Sequence, residues 1–173
     1  MKYLIGITGK KRAGKDTVAQ MLAEIVSPMT SQQVGFADEV YNDLAEMLKL
    51  SVSYIKENKQ KFRLMLQGYG TDYCRETFGS DYWIRRWIAV TYKSRADVII
   101  VPDVRFLNEA VFINKNGGTV WRVERPSTET DSHISENELN DYAFPTLKND
   151  STLENLKEQV KKAYGIYSYQ HPV

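Results

Sequence analysis

The chain has 173 residues, the usual size of one domain, and 42% of them are hydrophobic and 26% charged. These ordinary values exclude collagen-like, coiled-coil and wholly disordered chains. The net charge of +1 argues against a strongly cationic nucleic-acid-binding protein. The charge is uneven, however, because residues 1–20 carry +4 and the remainder sums to −3. The basic residues of that first segment are Lys2, Lys10, Lys11, Arg12 and Lys15.

Cysteine content and hydropathy indicate a compartment and exclude a membrane partner. Cys74 is the only cysteine, so no internal disulfide and no CxxC zinc site is possible, and the count fits a reducing compartment. The apolar run at residues 1–9 is too short for a signal peptide, and no later run approaches about 18 apolar residues. We therefore predict a soluble, cytoplasmic protein without a membrane partner.

The predicted elements begin with a strand, a glycine loop and a helix in immediate succession. Tyr3–Ile7 is a short apolar run typical of a buried strand. After the loop, Val18, Met21, Leu22 and Ile25 have the spacing of one face of an amphipathic helix.

Strands and helices alternate along the rest of the chain. Further strands are predicted at 33–37, 97–102 and 119–123, and helices at 38–50, 62–79, 80–91, 105–115 and 151–165, the last starting with a Ser151/Glu154 capping box. This alternation predicts an α/β fold with helices on both faces of a parallel sheet, in three layers. Residues 126–138 are polar and are predicted to form a mobile loop, and residues 166–173 a loose tail.

The glycine loop is a P-loop, with the sequence Gly-x-x-x-x-Gly-Lys-Asp-Thr over Gly9–Thr17. Its glycines let backbone N–H groups turn toward phosphate oxygens, the following helix adds its positive N-terminal end, and Lys15 would reach the β- and γ-phosphates of a nucleotide. The alternative is a glycine turn that binds nothing, which the flanking strand and helix disfavour. Asp16 stands where Ser or Thr commonly follows the lysine, and no guanine-specific Asn-Lys-x-Asp motif occurs, so a GTPase or motor ATPase is disfavoured.

An acidic residue follows the strongest predicted strand. Asp103 lies at the carboxyl end of that strand, where open α/β sheets bind ligands, and is placed to hold Mg²⁺ through water. The alternative is that Asp103 is the N-cap of the next helix, and both roles are compatible.

Glycines also interrupt the helical pattern around residue 70. Gly68 and Gly70 cost helix stability, which suggests that something approaches the backbone closely. Arg75 is suited to clamp a phosphate, or else it forms a surface ion pair. Trp83 is suited to stack on a base, but aromatic residues at helical spacing are more often part of the core, and the sequence leaves both roles open.

These blocks, taken in order, resemble the deoxynucleoside monophosphate kinases of bacteriophages over residues 3–160. The blocks are Gly9–Thr17, Phe36-Ala37-Asp38, Leu66–Arg75, Asp81-x-Trp83, Asp103–Glu109 and His133-x-Ser135-Glu136. Animal-type phosphomevalonate kinases have a similar P-loop and fold and are the nearest alternative.

The resemblance implies a role for each matching residue. The ATP-binding residues would be Gly9, Lys10, Lys11, Arg12, Ala13, Gly14, Lys15, Asp16 and Thr17, with Asn149 near the adenine ring. The substrate-binding residues would be Phe36, Ala37, Asp38, Gln67, Arg75, Asp81, Trp83 and Glu109. The catalytic residues would be Lys15, Arg75, Asp103, Arg105 and Arg125, and Asp16 and Asp103 would hold the metal.

The family also implies an architecture and a reaction. The architecture is a single P-loop kinase domain over residues 1–165, with a helical insertion that binds the nucleoside monophosphate at about 37–95, a short lid at about 126–138 and a tail at 166–173. The reaction transfers the γ-phosphoryl of ATP to a deoxynucleoside monophosphate (dNMP), with Mg²⁺, in the synthesis of deoxynucleotide precursors. The partner is then a small molecule and not a nucleic acid, and a homodimer is expected only because two-fold dimers are common.

Two alternatives remain open at this point. Within the enzymes, the chain resembles other small-molecule P-loop kinases, of the phosphomevalonate or dephospho-coenzyme A type, some of which phosphorylate an alcohol. Outside the enzymes, the candidate is a nucleotide-binding switch or a DNA-associated ATPase. The missing guanine motif and the negative remainder of the chain weigh against this second class.

Overall fold

The structure, a computed structural model, describes residues 3–126, 138–139 and 141–171. The chain divides into two compact units, one of Met1–Val34 with Ser94–Val173 and one of Gly35–Lys93. We call the first the sheet unit and the second the helical unit. None of the described helices has the length and apolar character needed to cross a membrane.

The described part of the sheet unit contains a five-stranded parallel sheet. Its strands are β1 (Tyr3–Thr8), β2 (Ser31–Gln33), β3 (Val98–Val101), β4 (Thr119–Glu124) and β5 (Thr146–Lys148). The strand order is β2-β3-β1-β4-β5, and every neighbouring pair is parallel. All residues of β1 and β3 are buried, as expected for apolar strands in the middle of a sheet that is covered on both faces.

The described helices are α1 (Lys15–Ile25), α2 (Asp38–Leu48), α3 (Val52–Glu57), α4 (Lys59–Gln67), α5 (Cys74–Phe78), α6 (Tyr82–Thr91), α7 (Leu107–Lys115) and α8 (Leu153–Gln170). A π-helix spans Gly68–Tyr73, between α4 and α5. The helical unit therefore comprises α2 to α6, and the sheet unit contains the other three helices.

One core holds α1 and α8 against the sheet. Leu22 of α1 and Leu156 of α8 are fully buried in the same cluster as Ile5, Ile7 and Trp121 of the strands. A buried aliphatic side chain of this kind contributes roughly 1.5–3 kcal/mol of transfer free energy. This packing fixes the start of α1, and with it the P-loop, against the end of β1.

The helical unit has cores of its own. Tyr41 and Leu44 of α2 pack with Ile55 and Phe62 of the next two helices. A second cluster joins Val40, Cys74 and Trp83. Both clusters consist of residues of the helical unit alone.

Several element boundaries differ from the sequence prediction. The second strand is Ser31–Gln33, which shares only Gln33 with the predicted 33–37. The predicted helix at 62–79 is divided into α4, the π-helix and α5, which fits the glycines at its centre.

The last helix differs at both of its ends. Its N-cap is Thr152, whose hydroxyl accepts from the Asn155 N–H at 3.2 Å, so the predicted Ser151 cap is wrong by one residue. The helix continues through Gly165 to Gln170, where a loose tail was expected. Tyr167 accounts for the extension, because it is buried and its hydroxyl donates to the Gly117 carbonyl at 2.7 Å, which outweighs a glycine cost of about 1 kcal/mol.

Candidate active site

The predicted phosphate and metal residues of the sheet unit lie at one edge of the sheet. Because all the strands are parallel, their carboxyl ends meet at that edge. β1 leads there into the P-loop, β3 into Asp103, β4 into Arg125 and β5 into Asn149. The connection leaving β1 runs to β2 and the connection leaving β3 runs the opposite way, to β4. Such a divergence opens a crevice between two strands, and in this sheet the P-loop and Asp103 flank it.

Glycine is required at two positions of the P-loop. Gly9 has φ +141°, and a Cβ there would lie 2.3 Å from the backbone oxygen of Val123 in β4. Gly14 has φ +104° and is the N-cap of α1. Since glycine offers no side chain to cap the first turn of α1, the helix end keeps the character of an anion site.

The Lys15 side chain turns back toward the first residues of the P-loop. Its Nζ donates to the carbonyl oxygens of Gly9 at 2.7 Å and Lys10 at 3.0 Å. The Lys10 carbonyl also accepts from the Ala13 N–H at 3.1 Å. The ammonium charge is thereby held within the loop at which phosphate binding was predicted.

The other P-loop residues vary in exposure. Lys10, Arg12 and Asp16 are exposed, Lys11, Gly14, Lys15 and Thr17 are partly buried, and Ala13 is buried. Asp16 lies in the first turn of α1, and Arg12 has a left-handed backbone with φ 62°. Much of the positive charge of residues 1–20 therefore lies on this loop, where Lys10 and Arg12 are exposed to solvent.

A cavity of about 550 Å³ opens beside the P-loop within the sheet unit. Its basic lining residues are Lys10, Arg105, Arg122, Arg125 and Lys148, and its acidic ones are Glu124 and Asp150. The excess of positive charge in a concave surface favours a polyanionic ligand. Thr8, Gly9 and Ala13 contribute to the same wall, so the P-loop and the cavity form one site.

Asp103 is not the cap of the following helix, which corrects one of its two predicted roles. α7 begins at Leu107 and its N-cap is Phe106. Two other carboxylates hold the N–H groups at this helix end. Glu109 Oε2 accepts from the N–H groups of Arg105 at 2.9 Å and Phe106 at 3.1 Å, and Glu138 Oε1 accepts from the Leu107 N–H at 2.7 Å. Asp103 is partly buried, and its neighbour Val104 donates its N–H to Ile7 of β1 at 3.1 Å.

The bonds of Glu109 at the start of α7 argue against its predicted role in substrate binding. Its side chain is buried and turned back to the start of its own helix, which favours a structural role over the predicted substrate contact. Arg105, two residues after Asp103, lines the cavity.

Arg122 faces the cavity and holds the chain that follows the predicted lid. Its guanidinium donates to the carbonyls of Leu139 and Tyr142, the latter at 2.7 Å, and lies 5.4 Å from the centre of the Phe144 ring. The predicted lid itself, 126–138, lies outside the described residues except for its two end residues, as does the His133-x-Ser135-Glu136 block.

Three of the predicted substrate residues lie at the start of the helical unit. Phe36 is buried, with its ring centre 5.4 Å from that of Trp87. Ala37 is the N-cap of α2. The Asp38 carboxylate accepts from the Gly35 N–H at 2.7 Å and pairs with Lys56 at 2.9 Å. These contacts shape the turn into α2, and a substrate role for the three residues stays a prediction.

Trp83 belongs to the core of the helical unit. It is 3% exposed, and its Nε1 donates to the Gly70 carbonyl at 2.6 Å. Of the two roles that the sequence left open, this burial favours packing. A Cβ at Gly70 would lie 3.1 Å from a methyl group of Val40, which is a tight contact.

The remaining predicted substrate residues are spread over three elements. Gln67 ends α4 and Arg75 lies in α5, both partly buried. Asp81 is exposed at the N-cap of α6 and pairs with Arg85, which lowers the pKa of the Asp81 carboxyl. Their contact with a substrate also stays a prediction.

Sequence reasoning missed a charged cluster in the helical unit. Arg86 of α6 donates to Glu39 at 2.5 Å and to Asp43 at 2.9 and 3.1 Å, both on α2. The Tyr69 hydroxyl donates to Asp43 at 3.0 Å. We call these four residues the Arg86 cluster.

The ionisation of the Arg86 cluster follows from its surroundings. The bond with Asp43 raises the pKa of Arg86, and burial together with the bond to Asp43 raises the pKa of Tyr69, so the first stays charged and the second neutral. A signal was available in the sequence, since Glu39 and Asp43 are four residues apart on one helix face and Arg86 lies between two buried tryptophans.

The parallel sheet, the P-loop between β1 and α1, and the acidic residue after β3 define a P-loop kinase. The sequence model for the family described as deoxynucleotide monophosphate kinase matches residues 25–160. The chain therefore belongs to the deoxynucleotide monophosphate kinase family and is an ATP-dependent phosphotransferase.

Individual relatives agree with this membership. The chain is 30% identical, over 91% of its length and 93% of the relative, to a protein of Acanthamoeba polyphaga mimivirus provisionally named deoxynucleotide monophosphate kinase. It is 32% identical to the deoxynucleotide monophosphate kinase of Enterobacteria phage T4, over 64% of this chain and 48% of that protein.

Solved structures agree on the fold alone. The shikimate kinase of Aquifex aeolicus is matched with a TM-score of 0.54 and 14% identity, over 96% of this chain and 98% of that one. The dephospho-CoA kinase of Campylobacter jejuni is matched with a TM-score of 0.51 and 14% identity, over 98% and 99%.

Proposed function

We propose that this protein transfers the γ-phosphoryl group of ATP to a deoxynucleoside monophosphate, giving ADP and a deoxynucleoside diphosphate. The observation that carries the proposal is the P-loop beside the basic cavity of about 550 Å³, with the Lys15 ammonium held across the loop. Family membership supports the choice of a dNMP as the acceptor.

The P-loop would hold the phosphates of ATP. Its main-chain N–H groups and the start of α1 present partial positive charge, and Lys15 supplies a full one. Phosphoryl transfer goes through a loose transition state, so catalysis consists mainly of positioning and of stabilising negative charge. Arg105 and Arg125 in the cavity wall are suited to the second task.

The residues present fit a bound Mg²⁺. Asp16 in the first turn of α1 and Asp103 at the end of β3 offer carboxylate oxygens, the ligand type that this ion prefers, and Asp103 flanks the crevice. When bound, the ion would neutralise charge on the phosphate oxygens. Asp16 and Asp103 are accordingly the residues proposed to hold it, Asp103 through water.

The acceptor needs no general base. A phosphate monoester has a second pKa of about 6, so its attacking oxygen is already ionised at neutral pH. A kinase that phosphorylates an alcohol would need a base. Asp38 and Arg75 of the helical unit are proposed to bind the dNMP, and Asp103 is left to position metal and phosphate.

The test is an ADP-release assay with dAMP, dGMP, dCMP and dTMP as acceptors. We expect turnover with at least one of them, and we expect Lys15→Ala to lower kcat by about 100-fold or more, because charge stabilisation of this kind is worth that much. Lys161→Ala is the matched control, since Lys161 is exposed on α8 and pairs with Glu158 at 2.6 Å, one turn away on the same helix. Its kcat should be unchanged.

Two results would contradict the proposal. Turnover with an alcohol acceptor, or stimulation by DNA, without turnover of any dNMP would show that the substrate is not a deoxynucleoside monophosphate. A near-normal kcat in Lys15→Ala, with its fold verified by circular dichroism, would show that Lys15 does not contribute to catalysis.

A further inference from the structure

We infer that Asn149 is a positioning residue, which aims the Gly14 N–H into the phosphate site by holding the Ala13 carbonyl. The inference rests on the proposed function, because it concerns how the P-loop binds the phosphates of ATP. It differs from the adenine contact that family resemblance implies for Asn149, since it assigns the side chain to the phosphate end of the nucleotide.

The Asn149 side chain lies against the middle of the P-loop. Its Nδ2 donates to the Ala13 carbonyl oxygen at 2.8 Å. The same nitrogen lies 2.5 Å from the position that a Cβ on Gly14 would occupy. The contact joins residues 136 positions apart in the chain, so it exists only because β5 folds beside β4.

The backbone of Asn149 is itself fixed. Its N–H donates to the Glu124 carbonyl at 2.7 Å, which continues the pairing of β5 with β4 by one residue. Lys148, directly before it, is held by Gln159 of α8 through bonds of 2.8 and 2.9 Å. The amide group is therefore presented to the P-loop from a rigid support.

Holding a carbonyl fixes the direction of the next N–H. A trans peptide is planar, and its C=O and N–H point in opposite directions. With the Ala13 oxygen bound by Asn149, the Gly14 N–H must point away from Asn149. Lys15 acts in the same way on the Gly9 and Lys10 carbonyls, and so sets the directions of the Lys10 and Lys11 N–H groups.

These restraints matter because glycine makes the loop free to rotate. Gly14 has φ +104° and no side chain to resist a turn of the Ala13–Gly14 peptide. A turned peptide would present its carbonyl oxygen to the phosphates and replace attraction by repulsion. Asn149 suits the task because its amide donates and is uncharged, whereas an aspartate accepts only and adds negative charge beside a phosphate.

The experiment compares ligands that contain the adenine base, the phosphates or both. Binding of ATP, of inorganic tripolyphosphate and of adenosine is measured by calorimetry for wild type, Asn149→Ala and Asn149→Asp. We expect Asn149→Ala to weaken ATP and tripolyphosphate by the same factor, about 10-fold, as for loss of one hydrogen bond. Asn149→Asp should weaken both further, and adenosine binding should not change in either variant.

The control is Asn116→Ala. The Asn116 amide also donates to a backbone carbonyl, that of Phe112 at 2.7 Å, but it lies at the end of α7 and outside the cavity. Its ATP and tripolyphosphate affinities should match wild type. A second readout is the Gly14 amide signal in ¹⁵N-labelled protein, which should shift with tripolyphosphate in wild type and shift much less in Asn149→Ala.

The outcomes separate the inference from the proposed function. If wild type turns over a dNMP and binds tripolyphosphate, but Asn149→Ala binds tripolyphosphate equally well, the inference alone is wrong. Weaker ATP binding with unchanged tripolyphosphate binding assigns Asn149 to the adenine and also overturns it. If wild type binds neither ATP nor tripolyphosphate, the proposed function fails and the inference falls with it.

Discussion

The P-loop of the sheet unit and the Arg86 cluster of the helical unit are built in opposite ways. The P-loop is a main-chain structure, in which Gly9 and Gly14 adopt left-handed φ and the side chains of Lys15 and Asn149 hold the carbonyls. The Arg86 cluster is a side-chain structure, in which α2, α6 and the π-helix each contribute charged or hydroxyl groups. One depends on backbone conformation and the other on charge balance.

This difference predicts how each region responds to mutation. A main-chain site fails when the backbone cannot adopt its conformation, even if the added group is one methyl. A side-chain cluster keeps its backbone but loses stability when one charge is removed and its partners stay behind. The three predictions below test this contrast, in order of decreasing effect.

Gly14→Ala should have the largest effect. An alanine at φ +104° is strained, and its Cβ would lie 2.5 Å from the Asn149 amide nitrogen, so the Ala13–Gly14 peptide must move. We expect ATP affinity and kcat/KM to fall by about 100-fold, as for a backbone strain of order 1–3 kcal/mol together with a lost phosphate contact. Calorimetry and steady-state kinetics measure both quantities.

Gly165→Ala is the matched control for that change. Gly165 lies within α8, and nothing lies within 4 Å of an added Cβ. Alanine is the better helix former, so this variant should keep full activity and gain roughly 0.5–1 kcal/mol in unfolding free energy. Normal ATP binding by Gly14→Ala would mean that the P-loop is not a main-chain site of the kind described.

The same contrast explains which features the sequence could predict. The P-loop is a local pattern, since its glycines, its lysine and the flanking strand and helix all lie within Tyr3–Ile25. The position of Asp103 could be predicted for a similar reason, because a continuous apolar strand marks the carboxyl edge of a parallel sheet. The α/β class follows from the alternation of predicted strands and helices, although β5 was not predicted and the second strand was placed too late in the chain.

Other features depend on contacts that no local pattern encodes. The N-cap role offered for Asp103 was wrong because α7 begins at Leu107, where the carboxylates of Glu109 and Glu138 accept from the N–H groups of Phe106 and Leu107. The hold of Asn149 on Ala13 joins distant parts of the chain. In the Arg86 cluster, Arg86 binds residues 47 and 43 positions before it, and the spacing of Glu39 and Asp43 on one helix face does not tell which cation they bind.

Arg86→Met should have the intermediate effect, on stability. It leaves Glu39 and Asp43, whose side chains are only 16% and 17% exposed, without their shared cation. We expect the free energy of unfolding to fall by about 1–3 kcal/mol, between the values for exposed and fully buried pairs. Urea unfolding followed by circular dichroism measures it, and adding Asp43→Asn to Arg86→Met should restore part of the loss.

The neighbouring residue provides the control. Arg85 is exposed and pairs with Asp81 on the same helix, so Arg85→Met should change stability by less than about 0.5 kcal/mol. Equal losses in Arg85→Met and Arg86→Met would show that the Arg86 cluster is no more than a surface ion pair.

Trp83→Phe should have the smallest effect, and it decides between the two roles that the sequence left open. The Phe side chain retains most of the buried ring but removes the Nε1 donor, so the Gly70 carbonyl loses its 2.6 Å hydrogen bond inside the helical unit. We expect a net loss of about 1 kcal/mol in the free energy of unfolding, and a KM for the dNMP within about two-fold of wild type.

The KM for ATP, measured in the same samples, is the internal reference. A several-fold rise in the dNMP KM with unchanged stability would instead assign Trp83 to base stacking, and the helical unit would then bind its ligand through the same side chains that form its core.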